Sequence, residues 1–266
     1  EEKLEVEVGS IILATGYQTF DPRRQDEYGY KKLSNVVTSL EFERMMSASG
    51  PFSGELLRPS DRKPPKKIAW VQCVGSRDVT AGNGYCSAVC CMYAIKQAIL
   101  SKEHDSGIEA TIFHNDIRAF GKGFERYYER AKSLGVRFLW SKVSILKELP
   151  ETKNAVIRYR INGREVKEDD FDLVVLSVGL TPSSHAGELA EKLGIEVDQY
   201  GFFKNKGLSP METSQPGIYL CGVCQAPKDI PDSVAIASGA ASLSSRLLAE
   251  TRGTLTVKRE YPPERD

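Results

Sequence analysis

The chain has 266 residues, enough for one large α/β domain or two small ones, and its 41% hydrophobic content is ordinary for a globular protein. Lys+Arg and Asp+Glu balance at 36 each, so no charge excess points to nucleic acid or an anionic membrane as partner. No apolar run approaches the ~20 residues that span a bilayer, and the acidic opening EEKLEVEVGS lacks the pattern of a secretory signal.

Residues 3–8, KLEVEV, alternate polar and apolar as a half-exposed strand does, and 11–14 follow as a short buried strand ending in Thr15-Gly16. These elements read as the end of a domain that begins elsewhere, so the chain is expected to be a fragment or one half of a split protein. Residues 17–61 read as irregular apart from a helix near 39–47 with Ser39 as N-cap. RPSDRKPPKK at 58–67 reads as a linker into a new domain. Beyond it the pattern predicts a strand at 67–72, a loop with Gly82 and Gly84, and a helix from about Ser87 to Ser101. A strand at 108–114, a helix at 123–134 and a strand at 136–140 come next. Residues 144–149, 155–161 and 165–167 form a small antiparallel meander turned by Asn162-Gly163. An apolar strand at 173–177 ends at Val178-Gly179. A hairpin region (GIEVDQYGFFKN), a buried strand (GIYLCG, 217–222) and a helix from about Asp232 to Leu248 complete the series. Strand, Gly-rich turn and helix recur at 68–98 and 217–248, which points to parallel sheets with ligand sites at strand C-termini.

Four of the six cysteines, Cys73, Cys86, Cys90 and Cys91, are spaced C-x12-C-x3-C-C. In a chain without a secretion signal this clustering argues for a reducing, cytoplasmic compartment and metal ligation. Cys86 and Cys90 share a face if the segment is helical, while Cys91 points roughly 100° away. One regular helix cannot aim all three thiolates at one point, so part of the segment is expected to be a loop or a first helical turn. A helix N-terminus there favours anionic thiolates through its free N–H groups and dipole. All-cysteine coordination fits an iron–sulfur cluster or structural zinc. The gaps match neither the usual zinc pattern nor the ferredoxin run, and inert or disulfide-bonded cysteines are a third reading; the cluster is favoured.

In a dinucleotide-binding unit the strand KIAWVQ would lead to G-x-G-x-x-G, whose backbone reaches a pyrophosphate. Here it leads to Cys73-Val74-Gly75-Ser76-Arg77-Asp78, so a cysteine stands in the phosphate loop, which argues against NAD(P) binding there. ILATGY (12–17) and LSVGLTP (176–182) resemble the turns at which two-dinucleotide-domain flavoproteins cross between domains. TSQPGIYLCG (213–222) resembles their second FAD motif, although Val223 and then Cys224 follow where an Asp is usual.

VQCVGSRD…YCSAVCCMYAIKQA together with CQAPKDIPDSVA is similar to the heterodisulfide reductase A-subunit family, over nearly the whole chain. The resemblance implies an α/β, thioredoxin-reductase-like flavoprotein with two dinucleotide-binding domains, parallel sheets and a small antiparallel meander. Residues 1–60 would then be a partial FAD-binding domain and connecting segment, and 61–182 an inserted Rossmann-like domain carrying the four-cysteine site. Residues 183–266 would be the C-terminal part of the FAD-binding domain. It implies a [4Fe-4S] cluster on Cys73, Cys86, Cys90 and Cys91, and FAD near Gly16, Gly179, Gly222, Gln225, Lys228, Asp229, Ile230 and Ser233. Lys228 is the catalytic candidate, placed to favour a reduced, anionic flavin; a solvated loop lysine is the alternative. The chain lacks the N-terminal FAD G-x-G-x-x-G unit and the ferredoxin-type runs of longer members, so alone it is expected to bind FAD weakly or not at all. The implied activity, in anaerobic metabolism, is electron transfer between FAD and the cluster, at a flavin that in this family sits at a bifurcation point. The implied partners are B- and C-like subunits, hydrogenase or ferredoxin-type carriers, and a separate N-terminal half.

Cys221 and Cys224 form a C-x2-C that reads as buried thiols, a redox dithiol or ligands. As a dithiol they would make a pyridine-nucleotide:disulfide oxidoreductase, the second reading; a zinc-stabilised, non-catalytic assembly module is the third. His104, His114 and His185 have no metal-ligand spacing and read as structural or surface residues. Neither G-x-S-x-G nor H-E-x-x-H occurs, so a hydrolase has no support.

Overall fold

The structure is a computed structural model that describes residues 3–161 and 164–249, so the expected Asn162-Gly163 turn lies outside the described residues. The first half runs β1 (Ile11–Leu13), β2 (Tyr17–Thr19), β3 (Val36–Thr38), α1 (Ser39–Met46), β4 (Lys67–Val74), α2 (Cys90–His104), β5 (Glu109–His114) and α3 (Phe124–Ser133). The second runs β6 (Arg137–Trp140), β7 (Val143–Glu148), β8 (Ala155–Ile161), β9 (Glu165–Phe171), β10 (Leu173–Val178), β11 (Leu180–Pro182), α4 (Ala186–Leu193), β12 (Ile218–Leu220) and α5 (Ile230–Leu247). Two compact units result, one of Gln18–Thr181 and one joining the described residues up to Tyr17 with those from Pro182 onward.

The first unit is built on a parallel sheet of order β3-β10-β4-β5-β6. Its central strands carry apolar residues on both faces, because both faces are covered. Ile68, Trp70, Ile112, Leu173 and Val175 face α1 and α2, where Phe42, Ile95, Ala98 and Ile99 are buried. Ala69, Val71, Phe113, Val174 and Leu176 face the β7–β8–β9 meander with its Leu146, Ile157, Tyr159 and Phe171, together with Phe20 and Tyr28. Phe42 meets Trp70 edge-on at 5.6 Å, and the Trp70 indole N–H donates to Gln97 Oε1 at 3.1 Å, so the buried ring leaves no polar atom stranded.

Several expectations change here. Residues 18–60 fall in the same compact unit as residues 61–181 and not with residues up to Tyr17. They supply β3, the edge strand paired with β10 (Val36 opposite Val174), and α1, so the unit expected from 61 begins at Gln18. Three residues of strand carry no periodic signal, and only pairing with a strand over a hundred residues away defines them. The N-cap of α1 is Thr38, not Ser39: Thr38 Oγ1 accepts from Glu41 N at 3.2 Å and Glu41 Oε2 accepts from Thr38 N at 2.8 Å, a complete capping box. The 58–67 stretch is not a free linker, because buried Arg58 donates to Asn154 Oδ1 at 2.9 Å and pairs with Asp172 at 3.4 Å. Helix α2 opens at Cys90, three residues after the expected start. Residues 3–8 are not a strand; Leu4, Val6 and Val8 are exposed at 84%, 69% and 59%, so the alternation has no buried face to serve.

In the second unit β1 and β12 pair in parallel, Leu13 opposite Leu220. Leu220 turns to α4 with Leu13, Phe203, Ala186 and Ala190, while Tyr219 turns to Ala240 and Ile236 of α5. Helix α4 has no counterpart among the expected elements, although Ala186, Leu189, Ala190 and Leu193 are spaced as one apolar helical face. Among the described residues no helix is long and apolar enough to cross a membrane.

Candidate functional site

The four cysteines are gathered by the end of β4 and the start of α2. Cys73, Gly75 and Arg77 all take left-handed backbone angles (φ +63°, +67° and +54°), which turns the chain sharply after the strand. Gly75 is required there, since a Cβ would lie 1.9 Å from Cγ of buried Phe20. Residues 77–85 then fold back on themselves: Arg77 N donates to Tyr85 O at 2.7 Å, and Asp78 and Asn83 exchange backbone bonds at 2.9 Å. Two buried serines tie the returning chain down. Ser76 Oγ donates to Tyr85 O at 3.1 Å and accepts from Ser87 N and Ser87 Oγ, each at 3.0 Å, while Ser87 Oγ accepts from Leu180 N at 2.9 Å. Both hydroxyls are used as donor and as acceptor, which holds residues 86–89 as a loop before α2 begins, as the spacing of the thiols requires.

Cys90 and Cys91 open α2. Cys90 Sγ lies 3.7 Å from Val178 O, which also accepts from the Tyr93 hydroxyl at 2.8 Å, and Cys91 Sγ lies 3.7 Å from Asp116 O. Ala88 N donates to Cys86 Sγ at 3.4 Å. Burial pushes the Cys73 thiol up to about 11, and neighbouring thiols of the set add to the shift; Arg77 opposes it. Burial raises Cys90 and Cys91 as well; Cys73, Cys91 and Cys86 add to it for Cys90, and Cys86 and Asp116 for Cys91. The four sulfurs therefore sit within electrostatic reach of one another, and as thiolates they need a cationic centre.

Of the histidines, His114 at the end of β5 comes near, lining with Gln72, Cys73 and Arg77 a cavity of about 30 Å³. Its Nδ1 is buried without a hydrogen-bond partner, and burial lowers its pKa. His104 ends α2, and His185, 84% exposed, precedes α4. Arg77, Asp116 and Arg118 join the site without having been singled out. Arg77 lay inside the cysteine motif, and Asp116 and Arg118 follow the C-terminus of a parallel strand, where ligand sites concentrate.

The residues expected near a flavin divide. Gly16 and Gly222 have φ of +71° and +70°, and a Cβ on either would meet nothing within 4 Å, so both present bare backbone to open space. Gly179 is closely packed: a Cβ would fall 2.8 Å from Ser76 Cβ and from Ser87 Oγ, so its bareness lets the cysteine loop pack. Lys228 is not a solvated lysine. Its ammonium donates to Gly222 O at 2.8 Å and to Gln225 Oε1 and Ala226 O, each at 2.9 Å, and partial burial lowers its pKa. Asp229 caps α5 by accepting from Asp232 N at 2.9 Å, so the helix starts at Ile230, two residues before the expected position; Ser233 N bonds Asp229 O. Ile230 is 79% exposed.

Cys221 and Cys224 are buried free thiols on opposite sides of the strand pair, Cys221 toward α5 and Cys224 toward α4. Cys224 Sγ donates to Leu13 O at 3.3 Å and Cys221 O at 3.1 Å, the behaviour of a structural thiol.

A paired-domain fold, glycine cradles at a second FAD-type motif and buried cysteines together describe a flavoprotein-type oxidoreductase, and the chain belongs to the pyridine nucleotide-disulphide oxidoreductase family, which it matches over residues 1–241. Within that family it resembles the A subunits of heterodisulfide reductases, as the cysteine stretch implied. It is 51% identical over 246 residues to the A subunit of the H(2)/formate:CoB-CoM heterodisulfide,ferredoxin reductase of Methanococcus maripaludis, covering 91% of this chain and 37% of that one. It is 47% identical over 254 residues to the iron-sulfur A subunit of the CoB--CoM heterodisulfide reductase of Methanocaldococcus jannaschii, covering 94% and 38%. The chain thus spans little more than a third of the length of these relatives. Thioredoxin reductase of Lactococcus lactis superposes with a TM-score of 0.57 at 22% identity, covering 91% of this chain and 66% of that one. That of T. acidophilum gives 0.53 at 16%, covering 91% and 65%. These bear out the thioredoxin-reductase-like α/β fold.

Proposed function

We propose that this chain is an electron-transfer module of a heterodisulfide-reductase-like complex, working between an FAD and a [4Fe-4S] cluster held by Cys73, Cys86, Cys90 and Cys91. The observation that carries the reading is the gathering of four thiols, none in a disulfide, by a loop and helix start that take the place of a phosphate loop. The donor set fits: four free thiols near one another, whose thiolate forms would repel and which an iron–sulfur core would hold together. Among the described residues no group of three His, Cys, Asp or Glu side chains is placed as a site for a metal ion; all-cysteine donors suit a cluster or zinc alike, and metal analysis separates the two. The cluster would supply one-electron chemistry. The chain's own residues set its surroundings: Ser76 and Ser87 fix the loop, Gly75 and Gly179 let it pack, and Tyr93 and Val178 close off Cys90.

For the flavin, Gly16 and Gly222 offer a cradle, Lys228 holds the 222–226 turn in shape beside it, and Asp229 and Ser233 open α5. The chain contains no G-x-G-x-x-G, so the ADP half of FAD would be held by residues other than these, on the same protein or a partner. Partners are the other redox subunits and ferredoxin-type or hydrogenase carriers, in a reducing, cytoplasmic setting, and the flavin is a branch point of bifurcation. Anaerobic reconstitution with ferrous iron and sulfide, followed by iron, sulfide and zinc analysis, tests the reading. About four irons per chain are expected, with a brown colour lost in Cys90→Ser; stoichiometric zinc without iron overturns it. The Cys221/Cys224 dithiol reading loses ground, because the two sulfurs face different helices.

A further inference from the structure

One charged group at the cysteine site is explained neither by the ligand set nor by the family match. Asp116, just past the end of β5, pairs with the Arg77 guanidinium through Nη1 and, at 3.6 Å, with Arg118 Nε. Each member is anchored to the cysteine framework. Arg77 N donates to Tyr85 O at 2.7 Å beside Cys86, and the Asp116 carbonyl lies 3.7 Å from Cys91 Sγ. Arg77 also keeps a left-handed φ of +54°, a backbone conformation unfavourable for a residue with a Cβ, so a long cation occupies a seat that glycine would fill with less strain. Its side chain is only 28% exposed, so solvent screens it less than an ordinary surface arginine.

We propose that Arg77, positioned by Asp116, is the charge-compensating residue of the four-cysteine centre and raises its reduction potential, while the Asp116 carboxylate lowers it. The proposal rests on the cluster reading above. Each reduction adds one electron, hence one negative charge, to a group that four thiolates already make anionic, and no bond forms or breaks. A fixed cation nearby stabilises the reduced state more than the oxidised one, and a fixed anion does the reverse. The charges are distributed around the set: Arg77 acts on Cys73 and Cys86, Asp116 on Cys73 and Cys91, and Arg118 on Cys91 alone.

The test is a redox titration, followed by electron paramagnetic resonance, of the anaerobically reconstituted full chain and three variants. Arg77→Gln is expected to keep its iron while its reduction equilibrium becomes about tenfold less favourable, a shift of ~59 mV for one electron. Arg77→Lys, which keeps the charge, stays close to the parent, and Asp116→Asn shifts in the opposite direction. Equal shifts in Arg77→Gln and Arg77→Lys mean that packing, not charge, is responsible and overturn the proposal, as does an unmoved potential in iron-loaded Arg77→Gln. Should Arg77→Gln lose its iron, Asp116→Asn decides: an upward shift supports the proposal and no shift or a downward one overturns it. A parent chain that takes up no iron is a different result, the failure of the proposed function itself.

Discussion

Gly75→Ala isolates the close approach on which the cysteine loop is built. Two contributions add. The left-handed φ of +67° costs an alanine roughly 1–2 kcal/mol. The new Cβ would sit 1.9 Å from Phe20 Cγ and 2.1 Å from Cδ1, and that ring is 2% exposed, wedged among Val71, Val74 and Val178. It cannot swing into solvent, so the overlap adds an overpacking cost of about 1–3 kcal/mol. Together these make about 2–5 kcal/mol, and at ~2–4 °C per kcal/mol for a unit of this size Tm falls by roughly 4–20 °C. The control is Gly82→Ala: its φ of +81° carries the same backbone penalty, but nothing lies within 4 Å of its Cβ. Thermal melts of the two metal-free variants by circular dichroism separate the terms, and Phe20→Leu in the Gly75→Ala background should recover part of the loss. Gly75→Ala no less stable than Gly82→Ala would show that the loop does not press on Phe20.

Two further outcomes follow from the same geometry. Because the Cys73 thiol is pushed up to about 11 from an ordinary 9.0, the unfolded chain loses this proton first as pH rises. The metal-free protein should keep that stabilisation in full below about 9 and lose roughly 2–3 kcal/mol of it by about 11, in urea titrations across that range. Cys73→Ser should reduce the dependence without abolishing it, because Cys90 and Cys91 are raised as well, and an identical slope in that variant would contradict the assignment. Arg58→Met should destabilise by about 2–3 kcal/mol in chemical denaturation, since it removes the bonds to Asn154 and Asp172, although Asp172 keeps Lys66 N and Lys67 N at 2.7 and 2.9 Å. A neutral effect would mean that 58–67 is a free linker after all.

Much of the molecule was legible in the residues. The apolar runs within KIAWVQ and LVVLS locate the central strands because a parallel sheet covered on both faces needs no alternation. The cysteine spacing demanded a non-helical turn before the third thiol, and the chain supplies one at residues 86–89. Local sequence was silent or misleading wherever a distant partner decided the outcome. Val36–Thr38 is a strand only because β10 lies beside it, and KLEVEV, with a strand's alternation, has no sheet to join among the described residues. Gly179 read as part of a flavin turn because its neighbours in sequence resemble one; the serines that press on it come from a loop about a hundred residues earlier.

Residue type and spacing set the chemistry available: four closely spaced thiols, no nucleotide-binding glycine fingerprint, and a flavin-type motif around Gly222. Those are properties of residue type and spacing, which a chain carries whether folded or not. The environment came from folding: Arg77 and Asp116 pair beside the cysteines, Lys228 turns its three donors to its own loop, and Cys221 and Cys224 part to opposite faces. Charge, burial and the direction of a side chain are set by segments far apart in the chain, and packing alone brings them together.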